Sequence, residues 1–281
     1  MIEFFHALFD PNSSFLRLAL AAGTLASVSF GIMGTYVVTR RIGYLAGAIA
    51  HCVFGGIGAA LYLKHRWGLS WLDPMYGALA SAIVAAIIIG LVSMKAGERE
   101  DSIIGALWAV GMAAGLIFID LTPGYFELSS YLFGDILLIS RQDIILVAGL
   151  DLVIIVLAVM FHPTFLSICF DEEFATLRGI NTSFYYILLL VMTAVTVVLL
   201  VRLVGVIMVI AMLTLPAAAA STLSRRLSVI MVLATFFALF FNWSGLALSY
   251  TLDLSAGPVI ISVAGLVYLG LLALSRMLPN R

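Results

Sequence analysis

Nine apolar runs of membrane-spanning length, at about 15–39, 42–63, 73–94, 102–121, 143–161, 184–201, 203–222, 228–250 and 257–275, take up most of the 281 residues. About 20 apolar residues in a helix cross a hydrocarbon core about 30 Å thick. Lipid offers no hydrogen-bond partners, so a segment of this kind must satisfy its backbone internally. The pattern predicts an all-α fold: a polytopic transmembrane helix bundle of about eight to ten helices, forming one transmembrane domain over residues 1–281. The charge content agrees, since only 10% of residues are charged where soluble domains carry about 25%. A net charge of −1 argues against recognition of nucleic acid by charge, and membrane lipid is the expected surrounding.

Breaks between the runs are marked by Arg40-Arg41, Asp73-Pro74, the charged stretch Glu98–Asp101, Thr122-Pro123-Gly124, His162-Pro163 and Ala256-Gly257-Pro258. Only Arg202 separates 184–201 from 203–222, a spacing that a broken or re-entrant helix would share. Met1–Pro11 is mixed and acidic, not the basic-then-apolar pattern of a signal peptide. Residues 162–183 read as the longest connection on one side, with a short amphipathic helix at Asp171-Glu172-Glu173 that stops at Gly179. Residues 122–142 read as the longest on the other. Their stretch Tyr131–Leu138 is too short to span and is expected to dip into the interface. The two cysteines, Cys52 in a span and Cys169 in the 162–183 connection, are not expected to pair.

Basic residues set the expected orientation. With the N-terminus outside and nine crossings, Arg40, Arg41, Lys95, Arg99, Arg178, Arg225, Arg226, Arg276 and Arg281 fall inside, against Arg17, Lys64, Arg66, Arg141 and Arg202 outside. Nine against five is the bias of the positive-inside rule, and it puts the C-terminus in the cytoplasm.

The absences narrow the function. Neither lysine, Lys64 or Lys95, sits in a Gly-Lys-Ser/Thr phosphate loop, so ATP hydrolysis is not expected of this polypeptide. No His-Glu-x-x-His pair and no arginine ladder is present. Asn242-Trp243-Ser244-Gly245 looks superficially like a serine nucleophile turn, but no histidine lies on a following helix to activate it. The eleven methionines are scattered, as helix-packing residues are.

His51 is the outstanding polar residue. It lies on a line of small residues four apart, Gly43, Gly47, Gly55 and Ala59, which share one helix face. If the span begins near Ile42, His51 is about 14 Å deep, close to the midplane. An ionisable group at that depth is costly. Its structural explanation is a hydrogen bond to a carbonyl of a neighbouring helix; its functional one is a ligand for a first-row divalent cation, with Gly43, Gly47 and Gly55 lining the path. Asp151, inside another run, must find a partner or protonate, and a helix-packing hydrogen bond would serve. Asp120, Glu127 and Asp135 cluster towards the outer side, where they attract cations or are simply solvated. Pro216 is expected to end its helix, leaving a short, small-residue helix over 216–226 that carries Arg225 and Arg226. That helix is either a membrane-border anchor or a docking surface for a cytosolic motor.

A family resemblance rests on ordered blocks: Arg40–Gly43 through His51 to Gly58, Asp101–Ala114, Tyr131–Leu138, Phe170–Asn181, Val204–Ala220 and Ser255–Leu266. Together, over roughly residues 12–275, they resemble the zinc/manganese-type ATP-binding-cassette permeases. The resemblance implies the membrane subunit of a divalent-metal importer in a prokaryotic plasma membrane: a homodimer served by a cytosolic ATPase and an extracytoplasmic metal-binding receptor, with no cofactor except the transported ion. It implies that Pro216–Arg226 is the ATPase-docking surface and His51 a metal ligand. Members commonly carry an aspartate one turn before this histidine, where the present chain has Gly47. Asp151 and Asp120 are the candidate replacements. The alternatives are a permease for metal chelates, such as a siderophore or corrinoid, and a channel or carrier needing no ATPase.

Overall fold

The computed structural model describes residues 2–10, 13–94, 100–123 and 139–277. Among them are eleven helices and no strand. In chain order they are α1 (Ile2–Phe9), α2 (Ser14–Thr39), α3 (Gly43–Trp67), α4 (Pro74–Ser93), α5 (Glu100–Asp120), α6 (Arg141–Phe170), α7 (Glu172–Leu177), α8 (Thr182–Val204), α9 (Val206–Leu223), α10 (Leu227–Leu252) and α11 (Ala256–Met277). Eight of these described helices are long and apolar enough to cross a bilayer, and α8 contributes a shorter apolar stretch, Thr182–Val198. Every expected run is thus a helix, in a polytopic all-α bundle.

Several helix starts follow from local chemistry. Asp73 accepts from the Met75 N–H at 2.8 Å, with Pro74 in the first helical position, where its missing N–H costs nothing. Ser140 and Asp143 cap α6 reciprocally: the Asp143 N–H donates to Ser140 Oγ at 3.2 Å, and the Ser140 N–H to Asp143 Oδ2 at 3.0 Å. Asp171 caps α7 by accepting from the Phe174 N–H at 2.8 Å, and the chain leaves this helix through Gly179 at φ +80°. The short helix expected there is present, whereas α1 was not anticipated.

Three boundaries differ from expectation. Pro163 lies inside α6, so the helix runs on to Phe170 and Cys169 is helical, not in a loop. Pro216 lies inside α9, which continues to Leu223, so there is no separate helix over 216–226. The reason at Pro216 is packing. Met212, Leu213, Pro216, Ala217 and Ala220 are all buried, and Ala217 and Ala220 form an apolar cluster with Ile230 and Ala234 of α10. Such contacts offset the cost of a helical proline, about 3 kcal/mol in an isolated helix. The third boundary is the break between α8 and α9. It falls at Gly205, not at Arg202, because Gly205 takes φ 78° and ψ 160°, a conformation that side chains disfavour. Tyr131–Leu138, Glu127 and Asp135 lie outside the described residues.

The described residues divide into two compact units. One draws on Met1–Arg40, Ser129–His162 and Leu199–Arg281; the other on Arg41–Leu128 and Pro163–Val198. In the first, polar side chains tie α2 to its neighbours. Asn242 Nδ2 of α10 donates to the Gly23 carbonyl at 3.2 Å and to Ser27 Oγ at 2.9 Å, and Trp243 Nε1 donates to Thr24 Oγ1 at 3.1 Å. Tyr36 Oη pairs with His162 Nδ1 of α6 at 3.0 Å. The stretch that resembles a nucleophile turn is therefore a helix seam.

In the second unit α3 is the central helix, lying against α4 and α5. Its approach to α5 is set by glycine on both sides. A Cβ on Gly55 would lie 2.8 Å from the Gly111 carbonyl oxygen, and one on Gly115 would lie 2.6 Å from that of Phe54. Without side chains between them, the two backbones come close enough for van der Waals packing to hold helices that lipid does not drive together. We expect Gly111→Leu to force α5 away from α3 and to destabilise the protein by about 1–3 kcal/mol. The check is its unfolding midpoint in detergent against that of the parent chain.

Candidate functional site

His51 lies eight residues into α3, on the face turned to α5. Its imidazole stacks on the indole of Trp108, with ring centroids 4.5 Å apart and planes at 18°. Nδ1 is buried and has no hydrogen-bond partner among the described residues, so the neighbouring carbonyl that a purely structural histidine calls for is not found at that nitrogen. Next to it, Cys52 Sγ donates to the Leu107 carbonyl at 3.4 Å. Gly47 is buried, while Gly43, His51, Gly55 and Ala59 are half-buried. Near Gly55 the space left by the missing side chain is filled by the α5 backbone. An imidazole with a nitrogen free of protein hydrogen bonds can ligate a divalent first-row cation.

The two carboxylates proposed as substitutes for an aspartate at position 47 lie in different settings. Asp151 is 4% exposed, in the first unit. It accepts through Oδ1 from Ser29 Oγ of α2, while Oδ2 has no partner among the described residues. That is the helix-packing hydrogen bond which a buried carboxyl requires. Asp120 is exposed at the end of α5, twelve residues beyond Trp108, or about 18 Å further along the helix. It is too far along α5 to share an ion with His51. No group of three or more His, Cys, Asp or Glu among the described residues is arranged to hold a metal ion.

Pro216, Arg225 and Arg226 also separate. Pro216 is buried within α9, whereas Arg225 and Arg226 are exposed in the link to α10, with Arg226 in the N-cap position. Ser224 between them and α9 is extended, at φ −145° and ψ 154°. The exposed part of the expected docking surface is this basic link with Ser221 and Leu223 before it, not the alanine run.

Trp108 joins the site only in the structure. Its spacing to Gly111 and Gly115, three and seven residues on, places all three on one face of α5, and that pattern was available as a signal of where α5 meets α3.

Residues 12–275 match the ABC 3 transport family. The chain is 41% identical over 277 residues to a probable metal transport system membrane protein of Chlamydia trachomatis, covering 98% of this chain and 93% of that one. It is 32% identical over 255 residues to the manganese transport system membrane protein MntC of Listeria monocytogenes, covering 91% and 89%. Among solved structures, PsaBC from Streptococcus pneumoniae in complex with Fab has a similar fold, with a TM-score of 0.84 at 29% identity over 96% of this chain and 95% of that one. With a match over nearly its whole length, the chain belongs to the ABC 3 transport family.

Proposed function

We propose that this chain is the permease subunit of an ATP-driven importer for a divalent transition metal ion, manganese or zinc first and iron next. The observation that carries this reading is the whole-chain similarity to a manganese transport membrane protein, joined to a histidine set within a spanning helix with one ring nitrogen unpaired among the described residues. The ion is cargo, and His51 is its ligand in passage. Imidazole suits manganese, zinc and iron alike, so the metal is chosen by geometry and supply as well as by affinity. One nitrogen ligand without a carboxylate beside it holds an ion loosely, which favours release.

ATP hydrolysis belongs to a separate cytosolic subunit, in keeping with the lack of a phosphate-loop motif in this sequence. An extracytoplasmic receptor delivers the ion, and two copies of the chain form the pathway. The excess of basic residues on one side supports an N-terminus outside and a C-terminus in the cytoplasm. The same orientation brings exposed Arg225 and Arg226 to the face where an ATPase would dock.

Two outcomes test the reading. His51→Ala should lower manganese and zinc uptake by about tenfold or more in a strain lacking the native gene, with membrane insertion unchanged. Gly47→Asp, which puts a carboxylate one turn from the imidazole, should raise the metal retained per purified complex and leave turnover equal or slower. Normal uptake by His51→Ala would move the ion's path elsewhere. Separately, Arg225→Glu combined with Arg226→Glu should preserve insertion but sharply reduce co-purification of the ATPase subunit. Undiminished co-purification and uptake would remove both the docking role and the support it lends to the orientation.

A further inference from the structure

A metal-bound imidazole is usually oriented by a hydrogen bond from the ring nitrogen that does not hold the metal. At His51 the residue one turn away, from which a carboxylate could have accepted such a bond, is Gly47. What the ring has instead is the indole of Trp108, nearly parallel to it at 4.5 Å. The indole is itself partly exposed, but the α5 backbone that carries it is held by its neighbours along the helix. The Leu107 carbonyl accepts from Cys52 Sγ at 3.4 Å, and a Cβ on Gly111 would lie 2.9 Å from Cys52 Cα. The α5 backbone on both sides of Trp108 is thus pressed against the α3 residues beside His51.

We infer that Trp108 is a positioning residue for the transported cation: its indole holds the His51 ring in place by stacking, and holds it most strongly when that ring carries a metal ion. This inference rests on His51 being the ion's ligand. An indole face is electron-rich, so it attracts positive charge. A neutral imidazole stacked on it gains mainly dispersion. An imidazole that has donated a lone pair to a divalent cation is electron-poor, and the same stack then becomes more favourable. Trp108 therefore favours the loaded state over the empty one without touching the ion, and takes over the orienting task that a carboxylate performs elsewhere. Leucine at this position would fill space but offer no π face; phenylalanine would keep a weaker one.

The test uses the full-length chain in lipid nanodiscs, with manganese(II) alone as the probe. Replacing Trp67, Trp71 and Trp243 by phenylalanine leaves Trp108 as the sole tryptophan. Its emission should then be quenched saturably by manganese(II), and His51→Ala should abolish the quenching. In the parent chain, Trp108→Leu should weaken manganese(II) binding by about 3- to 10-fold, and Trp108→Phe should recover part of the loss. If Trp108→Leu binds like the parent while His51→Ala does not, Trp108 is packing only and the inference is overturned, with the role of His51 intact. If His51→Ala binds like the parent, the reading of His51 itself fails. Should Trp108→Leu not insert, the single-tryptophan chain decides: no metal-dependent change in emission, despite binding that His51→Ala removes, overturns the inference.

Discussion

The close approach of α3 to α5 is the contact on which the candidate site depends. In lipid, apolar side chains gain little by leaving one apolar environment for another, so helices associate through tight packing and hydrogen bonds. Gly55 on one helix, with Gly111 and Gly115 on the other, lets the backbones meet directly. Ring stacking at 4.5 Å between His51 and Trp108 follows from that proximity, as does the hydrogen bond from Cys52 to the Leu107 carbonyl. A bulkier residue at any of the three glycines would separate all of these pairs at once. The small-residue line around His51 is therefore a device for bringing a second helix alongside the imidazole.

The first unit uses polar side chains for the same purpose. Ser29 with Asp151, Asn242 with Gly23 and Ser27, and Trp243 with Thr24 each join α2 to a neighbouring helix. His162 makes two such contacts, with Tyr36 Oη at 3.0 Å through Nδ1 and with Ser228 Oγ at 3.4 Å through Nε2, one ring nitrogen donating and the other accepting. Contacts of this kind contribute about 0.6 kcal/mol each on average in membrane proteins, because the separated helices also find partners. Their value lies as much in fixing which faces meet. The contrast between the two histidines is informative: His162 is engaged through both nitrogens in holding helices together, while Nδ1 of His51 is buried without a partner among the described residues.

Much of this was legible in the sequence because lipid imposes simple rules. Length and hydropathy locate the spanning helices, and Asp73 with Pro74, and Asp171 with Gly179, mark ends by chemistry that is local. Proline misled where tertiary packing outweighs a local cost. Pro163 and Pro216 both lie within helices, and only the apolar cluster around Ala217 and Ala220, formed with residues of the following helix, reveals why the second is tolerated. The break falls at Gly205 and not at the more conspicuous charge of Arg202, because a backbone turn at positive φ needs glycine and not charge. Asp151 and His51 read alike in sequence, each a lone ionisable group in an apolar run. What separates them is a serine on another helix, Ser29, which no local pattern could pair with Asp151. Trp108 is illegible for a related reason, since a tryptophan in an apolar run is ordinary until its partner across the seam is known.

The central claim is that the imidazole of His51 binds the cargo ion directly within the membrane span. Pulsed electron paramagnetic resonance on the manganese(II)-loaded, full-length protein addresses it at the level of the bond, because a coordinated imidazole nitrogen modulates the electron spin echo of the metal. The account predicts nitrogen modulation from a histidine in the parent chain and its loss in His51→Ala. A spectrum with modulation only from water and oxygen ligands, unchanged by that substitution, would contradict it.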